Sequence, residues 1–246
     1  MNSFKIKWNS IKEKYCESQI ESKKLPVFYD FYNCSKDFLN VYEPAEDTFL
    51  MIDTINLDKE LIFAKIKNKI FSKSNNIFNT VEVGCGSGLV SATLVKMIKD
   101  YISFDLNDEI IYKHFCLDVN RDAIDLTRNL MKSYKLDNHV EVHESNLFSF
   151  FTEQNIDIKF DLVIFNPPYV TTDEEEYSSA IEKKDISAAW AGGKSGSEVI
   201  YDFIEKLGNF ITFPDSAIYL LLSEENEYGK IQNLMKNKYS FDFEVR

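Results

Sequence analysis

Cysteine and histidine are scarce in this chain of 246 residues. The four cysteines are scattered and form no C-x-x-C pair: Cys16, Cys34, Cys85 and Cys116. The three histidines are not clustered either. Because zinc sites need grouped ligands and disulfide scaffolds are rich in cysteine, we expect reduced thiols and no bound metal ion.

Long apolar runs and an excess of positive charge are also lacking. No stretch approaches the roughly 18 apolar residues of a membrane span, and the polar start is unlike a signal peptide. We therefore predict no membrane association and a cytoplasmic location, with the nucleus as a second one. The net charge is −12, whereas proteins that bind duplex DNA unaided usually have a basic face. Nucleic acid is thus a disfavoured partner, although a small RNA-binding patch or a basic protein partner stays open.

Aromatic residues are abundant, with 20 Phe and 13 Tyr, enough for the core of one α/β domain. Apolar patterning predicts six strands, at 77–83, 114–119, 140–144, 160–165, 217–223 and 240–245. It also predicts helices at 10–22, from Pro44 to about 57, and at 89–99, 121–134, 195–210 and 227–237. Alternating strands and helices indicate a doubly wound, mainly parallel sheet. We divide the chain into an N-terminal extension, 1–40, and a main domain, 41–246, with an acidic surface insertion at 101–112.

Three glycines follow the first strand of this sheet, in the segment Glu82-Val-Gly-Cys-Gly-Ser-Gly88. A doubly wound fold binds nucleotides at the carboxyl ends of its strands, where glycine permits a close approach of ligand to backbone. We therefore assign Gly84 and Gly86 to a nucleotide-type ligand. The spacing G-x-G-x-G does not match the dinucleotide fingerprint G-x-G-x-x-G.

Two carboxylates narrow the choice of ligand. Asp118 ends the second predicted strand, where it can accept hydrogen bonds from ribose hydroxyls, although an Asp here is often a simple cap. Glu82 precedes the glycines, where a carboxylate suits a cationic amino-acid moiety and repels a pyrophosphate. The pair favours S-adenosylmethionine over a dinucleotide.

The segment Asn166-Pro-Pro-Tyr169 follows the fourth predicted strand, next to the first in this topology. The Asn166 side chain and the Pro167 carbonyl can accept both N–H bonds of a planar nitrogen and direct its lone pair at a methyl donor. Pro167 and Pro168 fix the backbone, and Tyr169 can pack on the target group. Positioning and preorganised dipoles would supply most of the rate.

Two further segments carry weaker signals. The segment Ala191-Gly-Gly-Lys-Ser-Gly196 resembles a phosphate loop, but Ala188 stands where the pattern requires glycine, which argues against an ATPase. The group Phe148, Phe150 and Phe151 is more typical of a core than of an interface, although it can serve both.

Together these motifs resemble the HemK-like glutamine methyltransferases. The segments Val41-Tyr-Glu-Pro-Ala-Glu-Asp-Thr-Phe-Leu50 and Ala188-Ala-Trp-Ala-Gly-Gly193 narrow the resemblance to the eukaryotic and archaeal release-factor glutamine methyltransferases, and it covers 41–246. The implied fold is the Rossmann-like class I S-adenosylmethionine-dependent methyltransferase, whose sheet normally ends with an antiparallel strand. This last strand is expected to be missing here.

The resemblance also implies a reaction, a site and a partner. The reaction is N5-methylation of the glutamine in the Gly-Gly-Gln loop of the class I translation termination factor. The implied cofactor contacts are Thr48, Glu82, Gly84, Asp118, Asn146, Leu147 and Asn166. The family usually has Asp where this chain has Asn146, which can still accept a hydrogen bond from adenine. A small zinc-binding activator subunit is expected to dock near 140–151.

Three alternatives stay open at this point. Nucleic-acid amino methyltransferases acting on adenine N6 or guanine N2 also use Asn-Pro-Pro-Tyr, but neither a basic patch nor a target-recognition domain is visible. Relatives of the family are linked to histone lysine and arsenic methylation. An inactive scaffolding subunit is disfavoured by the intact motifs.

Overall fold

The structure is a computed structural model that describes residues 28–71, 76–106, 110–212 and 215–245. The helix expected at 10–22 lies outside these residues. The helices are α1 (Cys34–Asp37), α2 (Glu46–Leu57), α3 (Lys59–Phe71), α4 (Leu89–Asp105), α5 (Arg121–Ser133), α6 (Ser149–Glu153), α7 (Glu174–Lys183), α8 (Glu198–Leu207) and α9 (Tyr228–Tyr239). The strands are β1 (Ile77–Val83), β2 (Ile111–Asp118), β3 (Val140–Glu144), β4 (Leu162–Phe165) and β5 (Ala217–Leu220).

The five strands form one sheet in the order β3-β2-β1-β4-β5, and every pairing is parallel. This confirms the predicted doubly wound architecture; among the residues described, no strand runs antiparallel. All four residues of β4 are buried, as expected for a strand covered on both faces. Because β1 has β2 and β4 as neighbours, the carboxyl ends of these three strands lie side by side.

Two apolar cores cover the two faces of the sheet. One contains much of α4, with Leu94 and Ile98 fully buried. The other is rich in phenylalanine: Phe148 stacks on Phe210 with ring centroids 4.6 Å apart, and Phe151 packs edge-on against Phe160. In the part of the chain that the structure describes, no helix is long and apolar enough to cross a membrane.

The expected surface insertion at 101–112 is wrong. Helix α4 continues to Asp105, with Tyr101 and Ile102 only 7% and 5% exposed, and Ile110 is buried just before β2 begins at Ile111. The acidic residues of this stretch suggested a surface loop, but they alternate with apolar residues that continue the buried face of the helix. β2 is therefore longer than predicted.

The expected strand at 240–245 is also wrong. Helix α9 ends at Tyr239, the left-handed conformation of its C-cap Ser240 (φ 53°) turns the chain, and residues 240–245 form no strand. Phe241 and Phe243 instead pack against the phenylalanine-rich core. The alternation of Phe with polar residues, which predicted a strand, arises from this packing. Helix α2 begins at Glu46 after its N-cap Ala45, so Pro44 precedes the helix and does not lie in its first turn.

Candidate active site

The glycine turn between β1 and α4 has the backbone geometry that its sequence predicted. Gly84 and Gly86 have φ of 67° and 52°, a region that glycine enters without steric cost. The Cys85 N–H donates to the Leu117 carbonyl at 3.0 Å, which ties the turn to β2. A Cβ added at Gly86 would meet no atom within 4 Å, so this side of the turn faces open space.

Asp118 fixes the same turn from the end of β2. Its Oδ2 accepts from the Gly86 N–H and its Oδ1 from the Asn120 N–H, each at 2.8 Å. Burial raises the pKa of this carboxyl, and the backbone donors lower it. Asp118 thus does cap local backbone, but each carboxylate oxygen keeps lone-pair capacity for a further donor.

A pocket opens between the glycine turn and the segment that carries α7. All eight residues predicted to contact the cofactor line it: Thr48, Glu82, Gly84, Gly86, Asp118, Asn146, Leu147 and Asn166. Asn146 is exposed at the rim, whereas Leu147 is buried and adopts a positive φ of 53°. The Thr48 hydroxyl accepts from the Ala45 N–H at 3.3 Å and so also caps α2.

Glu82 lies at the bottom of this pocket and is 2% exposed. Its carboxylate accepts a short hydrogen bond from the Ser91 hydroxyl of α4. Burial raises the pKa of Glu82 well above its usual range, and nearby Cys116 adds to this effect. The position is therefore one where an incoming cation would stabilise the ionised carboxylate.

Asn166 follows β4 directly beside the glycine turn, because Phe165 pairs with Val83. The Asn166 amide nitrogen donates to Asp47 Oδ2 at 3.1 Å, and the Tyr169 hydroxyl donates to the same oxygen at 3.2 Å. The Asn166 Oδ1 is buried and has no hydrogen-bond partner within the described residues. A buried acceptor without a donor is costly and rare, so this oxygen is suited to an N–H that arrives with a ligand.

The other three residues of the predicted catalytic segment occupy different surroundings. Pro168 lines the pocket, while the Pro167 side chain is buried. Burial raises the pKa of Tyr169, which keeps its phenol neutral as the donor to Asp47.

The loop after Tyr169 is held by the segment from Ala188 to Gly193, one of the two segments that narrowed the family resemblance. The Val170 N–H donates to the Trp190 carbonyl at 3.0 Å, and the Gly192 N–H donates to the Val170 carbonyl at 2.9 Å. The fully buried Asn226 donates from Nδ2 to the carbonyls of Tyr169 and Gly196, at 3.0 and 2.8 Å. Segments distant in sequence thus meet around Asn166.

The comparisons with known proteins agree with this geometry. The methyltransferase small domain family matches residues 60–191. Methyltransferase HEMK2 of Homo sapiens is 34% identical over 202 residues, which cover 82% of this chain and 80% of that protein. The eRF1 methyltransferase catalytic subunit mtq2 of Schizosaccharomyces pombe is 31% identical over 207 residues, with the same coverage. The release factor glutamine methyltransferase of Dictyoglomus turgidum is 30% identical over 64% of this chain and 50% of its own length.

The chain is a methyltransferase of the HEMK2 and mtq2 family. The family and the enzyme class predicted from the motifs are therefore confirmed.

Sequence reasoning missed three residues of this methyltransferase that shape the site. Asp47 lies within the Val41–Leu50 segment but was not singled out, although an acidic residue in a segment of such specific sequence was a usable signal. Nothing local in the sequence distinguishes Asn226. The third residue, Tyr32, is buried, and its hydroxyl donates to the Ser87 carbonyl of the glycine turn at 3.0 Å. A second contact comes from the same part of the chain, because the Asn40 carbonyl accepts from Asn120 Nδ2 at 2.7 Å.

Residues 28–40 therefore contact the methyltransferase site directly, while the boundary drawn at residue 41 stays a prediction.

Asp47 fixes which way the Asn166 amide faces. A flipped amide would direct its carbonyl oxygen at the Asp47 carboxylate, and two acceptors repel each other. We expect Asp47→Asn to lower kcat by about tenfold to a hundredfold, because a neutral amide accepts either orientation and misplaced groups cost rates of this order.

Initial rates at saturating cofactor measure this effect, with Asp53→Asn, further along α2 and outside the pocket, as the matched control. An unchanged kcat in the Asp47 variant would show that Asp47 does not orient the amide.

Proposed function

We propose that this methyltransferase transfers a methyl group from S-adenosylmethionine to the side-chain nitrogen of a glutamine, in the Gly-Gly-Gln loop of the class I translation termination factor. The observation that carries this proposal is the buried, unpartnered Oδ1 of Asn166 beside the glycine turn. An acceptor in this position fits a planar N–H donor better than it fits a hydroxyl or thiol nucleophile.

The residues of the pocket fit the methyl donor. Gly86 leaves open space for a ligand, and Asp118 offers acceptor capacity for ribose hydroxyls beside it. Glu82 offers a carboxylate to a cationic amino-acid moiety, and the exposed Asn146 an acceptor to the adenine amine. When bound there, S-adenosylmethionine supplies an electrophilic methyl group on a sulfonium.

The chain's own residues act on the nitrogen that receives this methyl group. Asn166 Oδ1 accepts one N–H of the glutamine amide, and the Pro167 carbonyl accepts the other. Both contacts hold the amide plane, so that its nitrogen lone pair is directed at the methyl donor. No strong base is needed, because the proton is lost from a nitrogen that already carries positive charge after transfer. Catalysis thus rests on positioning and on preorganised dipoles.

The choice of a protein substrate rests on the relatives and on charge. Two of the relatives are described as methyltransferases of a release factor. The net charge of −12 disfavours a polyanionic nucleic acid and favours a basic protein surface. We place the reaction in the cytoplasm, where translation termination occurs.

A small activator subunit is the proposed partner, and its proposed docking site is the segment from Val140 to Phe151. β3 is an edge strand of the described sheet, with unpaired backbone on its outer side. Phe148 and Phe151 belong to the core, so they cannot serve the interface, whereas Phe150 is half-buried and stacks on His143 with centroids 3.8 Å apart. Phe150 and the half-buried Val140 are the apolar residues left for a partner.

Methyl transfer to the purified termination factor tests this function. The enzyme, with the activator subunit, is incubated with radiolabelled S-adenosylmethionine and the intact factor. The controls are a factor whose loop glutamine is replaced by alanine, and total RNA as a competing acceptor. We expect label on the intact factor alone, located on the loop glutamine by peptide mass spectrometry. No transfer to the intact factor, with the activator present, would refute the proposal, and label on RNA would favour the nucleic-acid alternative.

A further inference from the structure

A line of polar side chains is buried beneath the glycine turn, where apolar residues would be expected. In the parallel pairing of β1 with β2, Thr80 lies opposite His114 and Glu82 opposite Cys116. Alternate residues of a strand share a face, so Thr80 and Glu82 both point towards α4, as do Tyr112 and His114 on β2. Thr80 and His114 are fully buried.

These side chains form one continuous hydrogen-bonded chain with Ser91 of α4. The Tyr112 hydroxyl is 3.1 Å from Thr80 Oγ1, which is 2.6 Å from His114 Nδ1. His114 Nε2 is 2.7 Å from Ser91 Oγ, and Ser91 Oγ contacts the Glu82 carboxylate. The chain therefore runs from Tyr112, near the amino end of β2, to Glu82 in the cofactor pocket.

With a neutral His114 ring, proton counting allows two directions for this chain of hydrogen bonds. If Glu82 is ionised, the single hydroxyl proton of Ser91 goes to the carboxylate, so His114 Nε2–H must donate to Ser91. His114 Nδ1 then accepts from Thr80, whose oxygen accepts from Tyr112. If Glu82 is protonated, the chain reverses and Ser91 donates to His114. Burial keeps Tyr112 a neutral phenol by raising its pKa, so it can serve as the terminal donor.

Few charged groups face the Glu82 carboxyl. The groups near it on β2 are Cys116 and the terminal Asp118, and the glycine turn contributes Cys85. Ser91 of α4 donates to it, the apolar Ile164 of β4 lies opposite it, and the Tyr32 phenol is a further titratable neighbour. Within the described residues Glu82 forms no ion pair. Its ionised form depends on the hydrogen-bonded chain and on whatever cation the pocket receives.

We propose that the chain from Tyr112 to Glu82 positions and polarises the Glu82 carboxylate for the cationic amino-acid part of the cofactor, with His114 as the positioning residue that links its two halves. This inference rests on the proposed function, because it takes S-adenosylmethionine as the ligand. Hydrogen bonds in a row strengthen one another when all donors point the same way, and here they end on the group that meets the cation.

Because Glu82 carries the charge that meets the cation, cofactor binding should depend on pH. Below the raised pKa of Glu82 the carboxyl is protonated and attracts a cation weakly. Affinity therefore increases as the pH rises through that pKa, until the cofactor's own ammonium loses its proton at about pH 8. Removing the donors from the chain raises the pKa of Glu82 further, so the loss of affinity is largest at low pH.

Calorimetric titration with S-adenosylmethionine, without any methyl acceptor, tests this between about pH 6 and pH 7.5, below the titration of the ammonium. His114→Phe removes both ring hydrogen bonds, and we expect about tenfold weaker binding at the lowest pH, the usual effect of one hydrogen bond to a charged group. The defect should shrink as the pH rises. His114→Gln keeps a donor for Ser91 and an acceptor for Thr80, so it should bind nearly as the unmodified enzyme does.

The control is His139→Phe, because His139 lies 6.2 Å from the Tyr112 ring but forms no link of the chain. Unaltered binding by His114→Phe, a loss of affinity that grows as the pH rises, or a Gln variant that binds as weakly as the Phe variant would each overturn the proposal. Absence of binding by the unmodified enzyme would instead refute the proposed cofactor.

A second measurement does not use a His114 variant, so it does not depend on whether such a variant folds. At a pH low enough for the free, unmodified enzyme to show a protonated Glu82 carboxyl band, cofactor addition should remove that band from the infrared spectrum; Glu82→Gln identifies the band by its absence. A Glu82 band that persists when the cofactor is bound would also overturn the proposal.

Discussion

Replacing Asn166 by alanine lowers the rate of methyl transfer by about a hundredfold to a thousandfold, the usual effect of losing one preorganised polar contact to the reacting group. The cofactor affinity changes little, because the glycine turn, Glu82 and Asp118 keep their contacts. The variant loses a buried acceptor that has no hydrogen-bond partner within the described residues. Folding is not expected to suffer, since within the described residues the Asn166 amide donates to Asp47 alone.

Single-turnover rates at saturating cofactor, together with a calorimetric titration of S-adenosylmethionine, separate the two effects for Asn166→Ala. Asn138→Ala, on an exposed turn away from the pocket, is the matched control and should leave both quantities unchanged. Near-normal turnover by Asn166→Ala would mean that this carbonyl does not hold the acceptor nitrogen.

Gly196→Ala is expected to damage both stability and activity. Gly196 has φ of 68°, and a Cβ there would lie 2.5 Å from the Tyr169 carbonyl oxygen and 2.8 Å from Asn226 Nδ2. The strained backbone alone costs about 1–3 kcal/mol. A backbone carbonyl cannot swing away as a flexible side chain does, so the loop that carries Asn166 must shift. Displacement by about 1 Å can cost a hundredfold in rate.

Urea unfolding and steady-state kinetics measure these two losses in Gly196→Ala. The matched control is Gly229→Ala: Gly229 is exposed in the first turn of α9, and a Cβ there would meet no atom within 4 Å. This control should keep full activity and be at least as stable, because alanine favours the helix. Equal behaviour of the two variants would show that the contact between Gly196 and Tyr169 carries no constraint.

The parts of the fold that the sequence predicted are those with a strong local signal. β1 was predicted at its observed bounds because its residues are apolar and are followed at once by the glycine turn. β3 was predicted equally well. The errors arose where one local pattern has two explanations. Alternating Phe241 and Phe243 fit either a strand or an irregular segment packed on a core, and only the packing partners decide between them.

The residues of the site fall into the same two groups, those with a local sequence signal and those brought in by tertiary packing. Glu82, Asp118 and Asn166 could be found because each lies at or next to the carboxyl end of a strand, and these strand ends form the pocket. The contact of Asp47 with Asn166 could not be found from local patterns, because 119 residues separate the two. The clamp made by Asn226 and the contact from Tyr32 likewise depend on tertiary packing between distant segments.

These long separations have a consequence for folding. Asp47, Asn166 and Asn226 belong to three remote parts of the chain, and each contact closes a large loop whose entropy must be offset by the surrounding core. The segments around Asp47, Asn166 and Asn226 must therefore have come together before the Asn166 amide is fully oriented. A partly folded chain could contain the glycine turn and still be unable to methylate, so turnover is a direct report of the fully assembled native state.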